Sequence, residues 1–546
     1  MTNPVGLIRL VFLLPCFAAA QSNVEQLIKE QQNNDSAVRQ QNQVKKKDIY
    51  SSHETRETDN LTLPDERPCF RIDKMIVKHS FLKQSVTDKI KEDSVGRCLG
   101  KQGITLLAQK LQDRFINAGY VTTRVEIPLQ DLSSNVLILN VIPGRIDELT
   151  IVNDHVSRVI LPFKQGDILN VRDVEQGLEN LQRVPGMDVK INIEPAKREG
   201  YSKIIVYPNR KKKGNIRVSA NNWGDKNTGG YVMGASGYAY NLAHLNDIFY
   251  LSGSRSVSGG YSSISSDYSF PLGYWEYEVF YSHSYSRQRI DLDDLNNYSG
   301  ESHYVSIKSA RMLYRDRDKK FAAFIEALRR KSDYQLGDIE LARQKRDMSN
   351  VRLGINYKQN YAAAMLDSTL AYQRFTRWGG GHLAPDMAAG EVSSTSQRLN
   401  LDVNYIRRLS DSSLSAYYDL KLAIQYAPAA LVLQDQLSLG SRWDVRGFEN
   451  STGLYGDKGF YLQNTVSFPT KFTGGEYYSG LDYGEISTSS SSQQQGATKR
   501  LMGATAGVKG SINSLGYDLS FSVPLRYPAE LKTNRMTLSF NLFYLI

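Results

Sequence analysis

Long apolar runs are almost missing from this chain. Mean hydropathy is −0.42 and hydrophobic residues make up 41% of the 546, which excludes a bundle of transmembrane helices. The one apolar stretch is at the start, where residues 7–20 include Arg9, a Leu-Val-Phe-Leu-Leu core and Ala18-Ala19-Ala20. It is too short to span a bilayer and reads as a secretory signal peptide over residues 1–20, cleaved before Gln21. Cysteine is scarce, with three in all. Cys16 leaves with the signal, and its neighbours Pro15 and Phe17 do not fit a lipidation site. Cys69 and Cys98 remain in one small predicted domain of an exported chain, where a structural disulfide is expected. The seven histidines are scattered, with no His-x-x-x-His pair or metal spacing. No P-loop, nucleophile elbow or paired-carboxylate motif stands in a strand–helix setting. The chain is therefore expected to be no enzyme and to hold no cofactor or metal.

Charge of one sign is not concentrated either. The formal +10 is spread, apart from Lys45-Lys46-Lys47 and Arg210-Lys211-Lys212-Lys213. Export argues against nucleic acid as a partner. The first run reads as solvated linker, and the second, just before a strand-rich region, as a contact with lipid headgroups or a barrel rim. What the chain does have is tyrosine, 33 in number, a residue that gathers where lipid meets water.

Residues 21–43 are rich in Gln, Asn and Glu, with Val24, Leu27 and Ile28 at helical spacing. A helix this polar belongs in a wet cavity rather than a core. Residues 44–66 lack periodicity and read as a linker. Two compact α+β units follow, over residues 67–144 and 145–210, each read on a βααββ plan. In the first, strands are expected at residues 70–77, 121–127 and 136–142. Helices are expected at residues 85–92 and 104–118, the latter with Leu107, Leu111 and Phe115 on one face and Gly119 closing it. In the second, residues 171–181 form a helix with Val174, Leu178 and Leu181 facing in. Strands lie at residues 149–152, 189–193 and 204–207.

From residue 214 to 546 the chain alternates with period two. Leu414, Ala416, Tyr418, Leu420, Leu422, Ile424 and Tyr426 share one face, and Leu399, Leu401, Val403 and Tyr405 another. At the end Met536, Leu538, Phe540, Leu542, Tyr544 and Ile546 alternate with Thr537, Ser539 and Asn541. In an exported chain this favours a transmembrane β-barrel, apolar outside and polar inside. Its roughly 330 residues, at roughly 20 per strand and loop, give about sixteen antiparallel strands. A lumen that wide needs a plug.

Several motifs are shared with known proteins. Ala118-Gly119-Tyr120-Val121, Pro128-Leu129-Gln130-Asp131-Leu132, and Glu175-Gln176-Gly177-Leu178 before Pro185 resemble the signatures of polypeptide-transport-associated (POTRA) domains. Residues 438–460 carry Ser438-Leu439-Gly440, Asp444-Val445-Arg446-Gly447-Phe448 and Gly456-Asp457-Lys458-Gly459, and Gly480-Leu481-Asp482-Tyr483-Gly484 follows. These resemble the inward-folded loop and wall motif of the Omp85 superfamily, and more closely the two-partner secretion transporters (TpsB family). The resemblance implies a transporter in the bacterial outer membrane, embedded in its lipid as a monomer, with POTRA domains in the periplasm. It also implies one large secreted partner, whether adhesin, haemolysin or contact-dependent inhibition toxin, and a helix at residues 21–43 that plugs the barrel. Arg446 and Asp482 are then the two halves of a loop–wall lock, supported by Val445, Gly447, Phe448, Gly480 and Gly484. An arginine fork suits a carboxylate in a way lysine cannot match. The alternative is an Omp85-type insertase, which usually carries more POTRA domains and no preceding helix.

Overall fold

The computed structural model describes residues 39–44, 46–50, 63–152, 156–289, 297–409, 415–449, 453–470, 474–489 and 498–546. The predicted signal peptide, the positions Val24, Leu27 and Ile28, and most of the predicted linker lie outside them.

The first α+β unit places a central strand, Val136–Ile142, parallel to Lys74–Lys78 and antiparallel to Arg124–Glu126. Helices Gln84–Ser94 and Lys101–Asn117 cover one face. Leu107, Leu111 and Phe115 are buried against Leu137, Leu139 and Val141, as period 3.6 on a helix and period 2 on a strand require. Gly100 offers no side chain to cap the longer helix, and Glu66 substitutes for it. Its carboxylate accepts from the amides of Gly100 (3.0 Å), Gln102 (2.8 Å) and Gly103 (2.7 Å), the orphan donors of a helix start. These bonds hold the Glu66 carboxyl below its ordinary range. The predicted strand over residues 70–77 is two strands, Phe70–Arg71 and Lys74–Lys78. Phe70–Arg71 pairs with Cys98–Leu99, and this pairing brings Cys69 and Cys98 into a disulfide with Cα atoms 5.3 Å apart.

The second unit orders its strands Arg145–Ile151, Tyr201–Arg210, Met187–Pro195, the first pair parallel and the second antiparallel. It departs from the expected plan. Where the first unit has its first helix, the described residues hold a 3₁₀ turn, Arg158–Ile160, and Pro162 and Gly166 stop anything longer. Helix Val171–Gln182 is capped by Asn170, whose side chain accepts from the Arg172 amide at 2.8 Å. Val174 and Leu181 are buried in the core, but Leu178 is half-buried. The helix also buries a polar face, Glu175, Gln176 and Asn180, because that face docks on the barrel.

The barrel closes with sixteen antiparallel strands, from Gly214–Asn221 to Thr537–Leu545, the first pairing with the last. Along the strand Tyr417–Tyr426, Ile424 and Tyr426 are exposed on the outside while Gln425 is buried inside, the alternation read from the sequence. Closure leaves no free sheet edge. Hairpin turns at the end facing the α+β units are short, such as Gly273-Tyr274 between Tyr261–Leu272 and Trp275–Arg289. At the other end the strands Asn297–Arg315 and Lys319–Leu336 run to 19 and 18 residues. About 9–11 suffice to cross a bilayer, so these two project beyond it.

Candidate functional site: the occupied lumen

Among the described residues, two parts of the chain inside the lumen are held by polar contacts with the wall. The first is the long loop between Tyr417–Tyr426 and Lys458–Pro469, which folds inward and forms a small hairpin, Leu437–Leu439 with Leu454–Gly456. Leu439, Val445, Phe448 and Leu454 from the loop pack with Ile486 and Leu501 of the wall. Asp444 ties the turn by accepting from the amides of Gly440 (2.7 Å) and Val445 (2.6 Å).

Arg446 follows and meets Asp482, which lies on Gly475–Ser487. Arg446 Nε donates to Oδ2 at 2.6 Å and Nη2 to Oδ1 at 2.7 Å, the bidentate fork geometry. The Arg446 amide adds a bond to Oδ2 at 3.0 Å, and the Asn464 amide one to Oδ1 at 3.2 Å. Nη2 also reaches the Asn464 carbonyl (2.9 Å) and Thr465 Oγ1 (3.0 Å). The Asp482 side chain is fully buried and that of Arg446 is 13% exposed, so this ion pair is largely withdrawn from water.

Glycines make the approach possible. A side chain on Gly480 would begin 2.3 Å from Arg446 Nη2, and one on Gly484 would meet Leu439 and Val445 at 2.9–3.0 Å. Gly447 takes φ +114° with the backbone of Val523 against it, a conformation natural to glycine alone. Gly503, which the sequence did not single out, is tighter still. A Cβ there would lie 1.7 Å from the Arg446 carbonyl oxygen. Also unforeseen is a second contact two strands away. Arg442 pairs with Asp518 at 3.2 Å and lies 3.5 Å over the Trp223 ring, a cation–π geometry. Adjacent Arg442-Trp443 in the loop was the available signal, but its partners come from both ends of the barrel sequence.

The second occupant comprises residues 39–44 and 46–50, which follow the wall towards the α+β units. Arg39 pairs with Glu278 at 2.7 Å and covers the Phe280 ring. Asn42 donates to Ser252 Oγ (2.9 Å) and accepts from Ser236 Oγ (2.7 Å). Lys46 pairs with Glu276, and Asp48 with Lys320 and Lys358, both at 2.9 Å. The Ile49 amide then donates to Glu179 Oε1 at 2.6 Å. Glu179 is on the docked helix Val171–Gln182 and also pairs with Arg315 (2.8 Å) and Lys320. Side chains of both cations are only 2% exposed. One carboxylate therefore joins the strap, the barrel and the second α+β unit. Docking is completed by Arg183, which donates to Ser269 O (2.8 Å) and Glu276 (2.9 Å), and by Asn180, which donates to Gly273 O (2.7 Å).

A closed sixteen-strand barrel, two α+β units in series of which the second docks on one of its ends, and an inward loop define an outer-membrane transporter built on POTRA domains. Residues 200–510 match the family described as haemolysin secretion/activation protein ShlB/FhaC/HecB, residues 70–144 a ShlB-type POTRA domain, and residues 145–195 a further POTRA domain. The chain belongs to that family of two-partner secretion transporters. It is 29% identical to the outer membrane transporter CdiB-2 of Burkholderia pseudomallei (strain 1026b), over 96% of this chain and 94% of that protein. Identity to the hemolysin transporter protein HpmB of Proteus mirabilis is 24% over 71% of each. Its fold matches CdiB from Escherichia coli at TM-score 0.82 (23% identity, 97% and 98% covered). CdiB from Acinetobacter baumannii matches at 0.81 (25%, 96% and 99%). The barrel thus lies in the outer membrane and the POTRA domains in the periplasm, as expected from the sequence.

Proposed function

We propose that this transporter takes one large partner polypeptide from the periplasm and passes it, unfolded, through the barrel to the cell surface without nucleotide hydrolysis. The observation that carries this reading is the strap of residues 39–44 and 46–50, a stretch of polypeptide already lying against the lumen wall. Val44 packs on a small cluster of Val184, Met187, Tyr240 and Ile248, and the strap's other contacts are mainly hydroxyls, carboxylates and cations. Such a wall suits a chain that must be held and released. In this reading the strap and the helix expected from the sequence before it are a removable plug, and Arg446 with Asp482 locks the inward loop in the position that export requires.

The POTRA domains recognise the partner by strand addition. The strand Arg124–Glu126 borders its sheet, with Ile127 and Leu129 exposed beside it. Edges of this kind bind an extended peptide through backbone bonds and select it through side-chain pockets. The outward bias comes from folding of the emerging partner, an adhesin, haemolysin or contact-dependent inhibition toxin, outside the cell. One barrel monomer suffices.

Crosslinking in cells during export, followed by purification and identification of what is trapped, tests the reading. One large secreted polypeptide is expected. A collection of unfolded outer-membrane barrels would point to an insertase instead, and no trapped polypeptide would point to a passive pore.

A further inference from the structure

Cross-strand register creates a cluster that no linear motif announces. His283 lies on Trp275–Arg289 and is directly opposite His303 on Asn297–Arg315, with Glu301 two residues from His303 on the same face. Their neighbours Ser282, Ser284 and Ser302 are buried towards the lumen, so the three side chains face outward. Just below them in the barrel wall the outward positions are Tyr281 and Val305, both exposed. Tyr285 and then Arg287 continue the outward row of their strand towards the far end. The cluster therefore marks the external edge of the apolar band, on strands that rise beyond it.

We propose that His283, Glu301 and His303 form a binding site for a zinc-class divalent transition-metal ion on the outer face of the barrel. Glu301 Oε1 lies 3.1 Å from His303 Nε2 and 3.7 Å from His283 Nδ1, and the three ligand atoms are all within 4.8 Å of one another. A tetrahedral ion with bonds of about 2.0–2.1 Å holds its ligands about 3.3–3.4 Å apart. The two contacts bracket that spacing, so small side-chain rotations complete the site. His283 Nδ1 is shut off from solvent with no hydrogen-bond partner among the described residues, a position that a metal ion would satisfy. His303 Nδ1 is 3.3 Å from Tyr281 Oη. This is the outer contact that metal-bound imidazoles use to fix their ring and present the other nitrogen. The two imidazoles stack with centroids 4.5 Å apart, which already brings their strands' ligands into one place. Two imidazoles and one carboxylate select zinc, nickel, cobalt or copper over calcium or magnesium. Three protein ligands also leave one position open to water or to a donor at the cell surface. Lys331, opposite His303 on the next strand, is the cation against which the site must work.

The test uses untagged full-length protein in detergent, stripped with chelator and titrated with zinc by calorimetry and with cobalt by visible absorption. One saturable ion per chain and the ligand-field bands of four-coordinate cobalt are expected. Both are lost in His283→Ala and His303→Ala, and Glu301→Gln weakens binding. Tyr281→Phe, which removes only the outer contact, weakens it on the order of 10–100-fold. Heat-modifiable migration on gels verifies that each variant barrel is folded, and the conservative Glu301→Gln and Tyr281→Phe serve if a histidine variant is not. No saturable binding by the unsubstituted protein, or unchanged binding in every folded variant, overturns the proposal.

Discussion

Replacing Glu179 with Gln tests how the strap is held. The carboxylate accepts from the Ile49 amide and faces Arg315 and Lys320. Without its charge, those two nearly buried cations lose a shared anion but keep others. Arg315 retains Glu175 at 3.4 Å and Lys320 retains Asp48 at 2.9 Å. Breaking a buried pair outright costs about 3–5 kcal/mol, and the remaining partners place this variant nearer 2–3. At roughly 1.4 kcal/mol per factor of ten, a strap held at this point would be released about 30- to 140-fold more often. Single-channel recording of purified protein in planar bilayers is the assay. Longer or more frequent high-conductance openings are expected, and Glu179→Asp should show a smaller change. Conductance identical to the unsubstituted protein would refute the claim that this carboxylate restrains the plug.

Three further outcomes follow from the geometry. Gly503→Ala places a methyl group where the Arg446 carbonyl now sits, so the loop should be displaced while the barrel still forms, read as new protease sensitivity of residues 438–449 with unchanged heat-modifiability. Cys98→Ser removes the link to Cys69, 29 residues away, and should lower the stability of the first POTRA domain by about 3–4 kcal/mol, measured by denaturant unfolding against the oxidised protein, with the reduced protein matching the variant. The folded Glu66 carboxyl lies below its ordinary range because three amides bond its ionised form. Its contribution is thus complete above the unfolded carboxylate pKa and is lost as pH falls through the folded one, so the acid-induced loss of stability should be shallower in Glu66→Gln.

The parts of this molecule that were legible in the sequence are those set by local periodicity. Alternation from residue 214 onward specified a barrel with an apolar exterior, and its division by strand and loop gave the number of strands found. Leu107, Leu111 and Phe115 marked a buried helix face at period 3.6. Arg446 and Asp482, 36 residues apart in sequence, stood out because each sits in its own motif beside glycine. What was not legible depends on register. Gly503 matters only because its strand neighbours Gly475–Ser487, and His283 with His303 only because their strands pair at that position. A search for helical metal spacing passes over such a pair. The polar face of Val171–Gln182 carries no local sign that a barrel rim covers it. The missing first helix of the second unit had a local sign in Pro162, obscured by the repeat imposed on it.

The lock is the centre of the account, and Arg446 is the place to test it. Its side chain makes two bonds to a fully buried carboxylate and two more to the neighbouring strand. Lysine keeps the charge but not the fork. Secretion of the partner into the medium should be measured for Arg446→Ala and Arg446→Lys, alongside outer-membrane insertion and heat-modifiability of the same samples. Correctly inserted barrels are expected in both, with secretion abolished in Arg446→Ala and strongly reduced in Arg446→Lys. Normal secretion by an inserted Arg446→Ala barrel would contradict the lock's role.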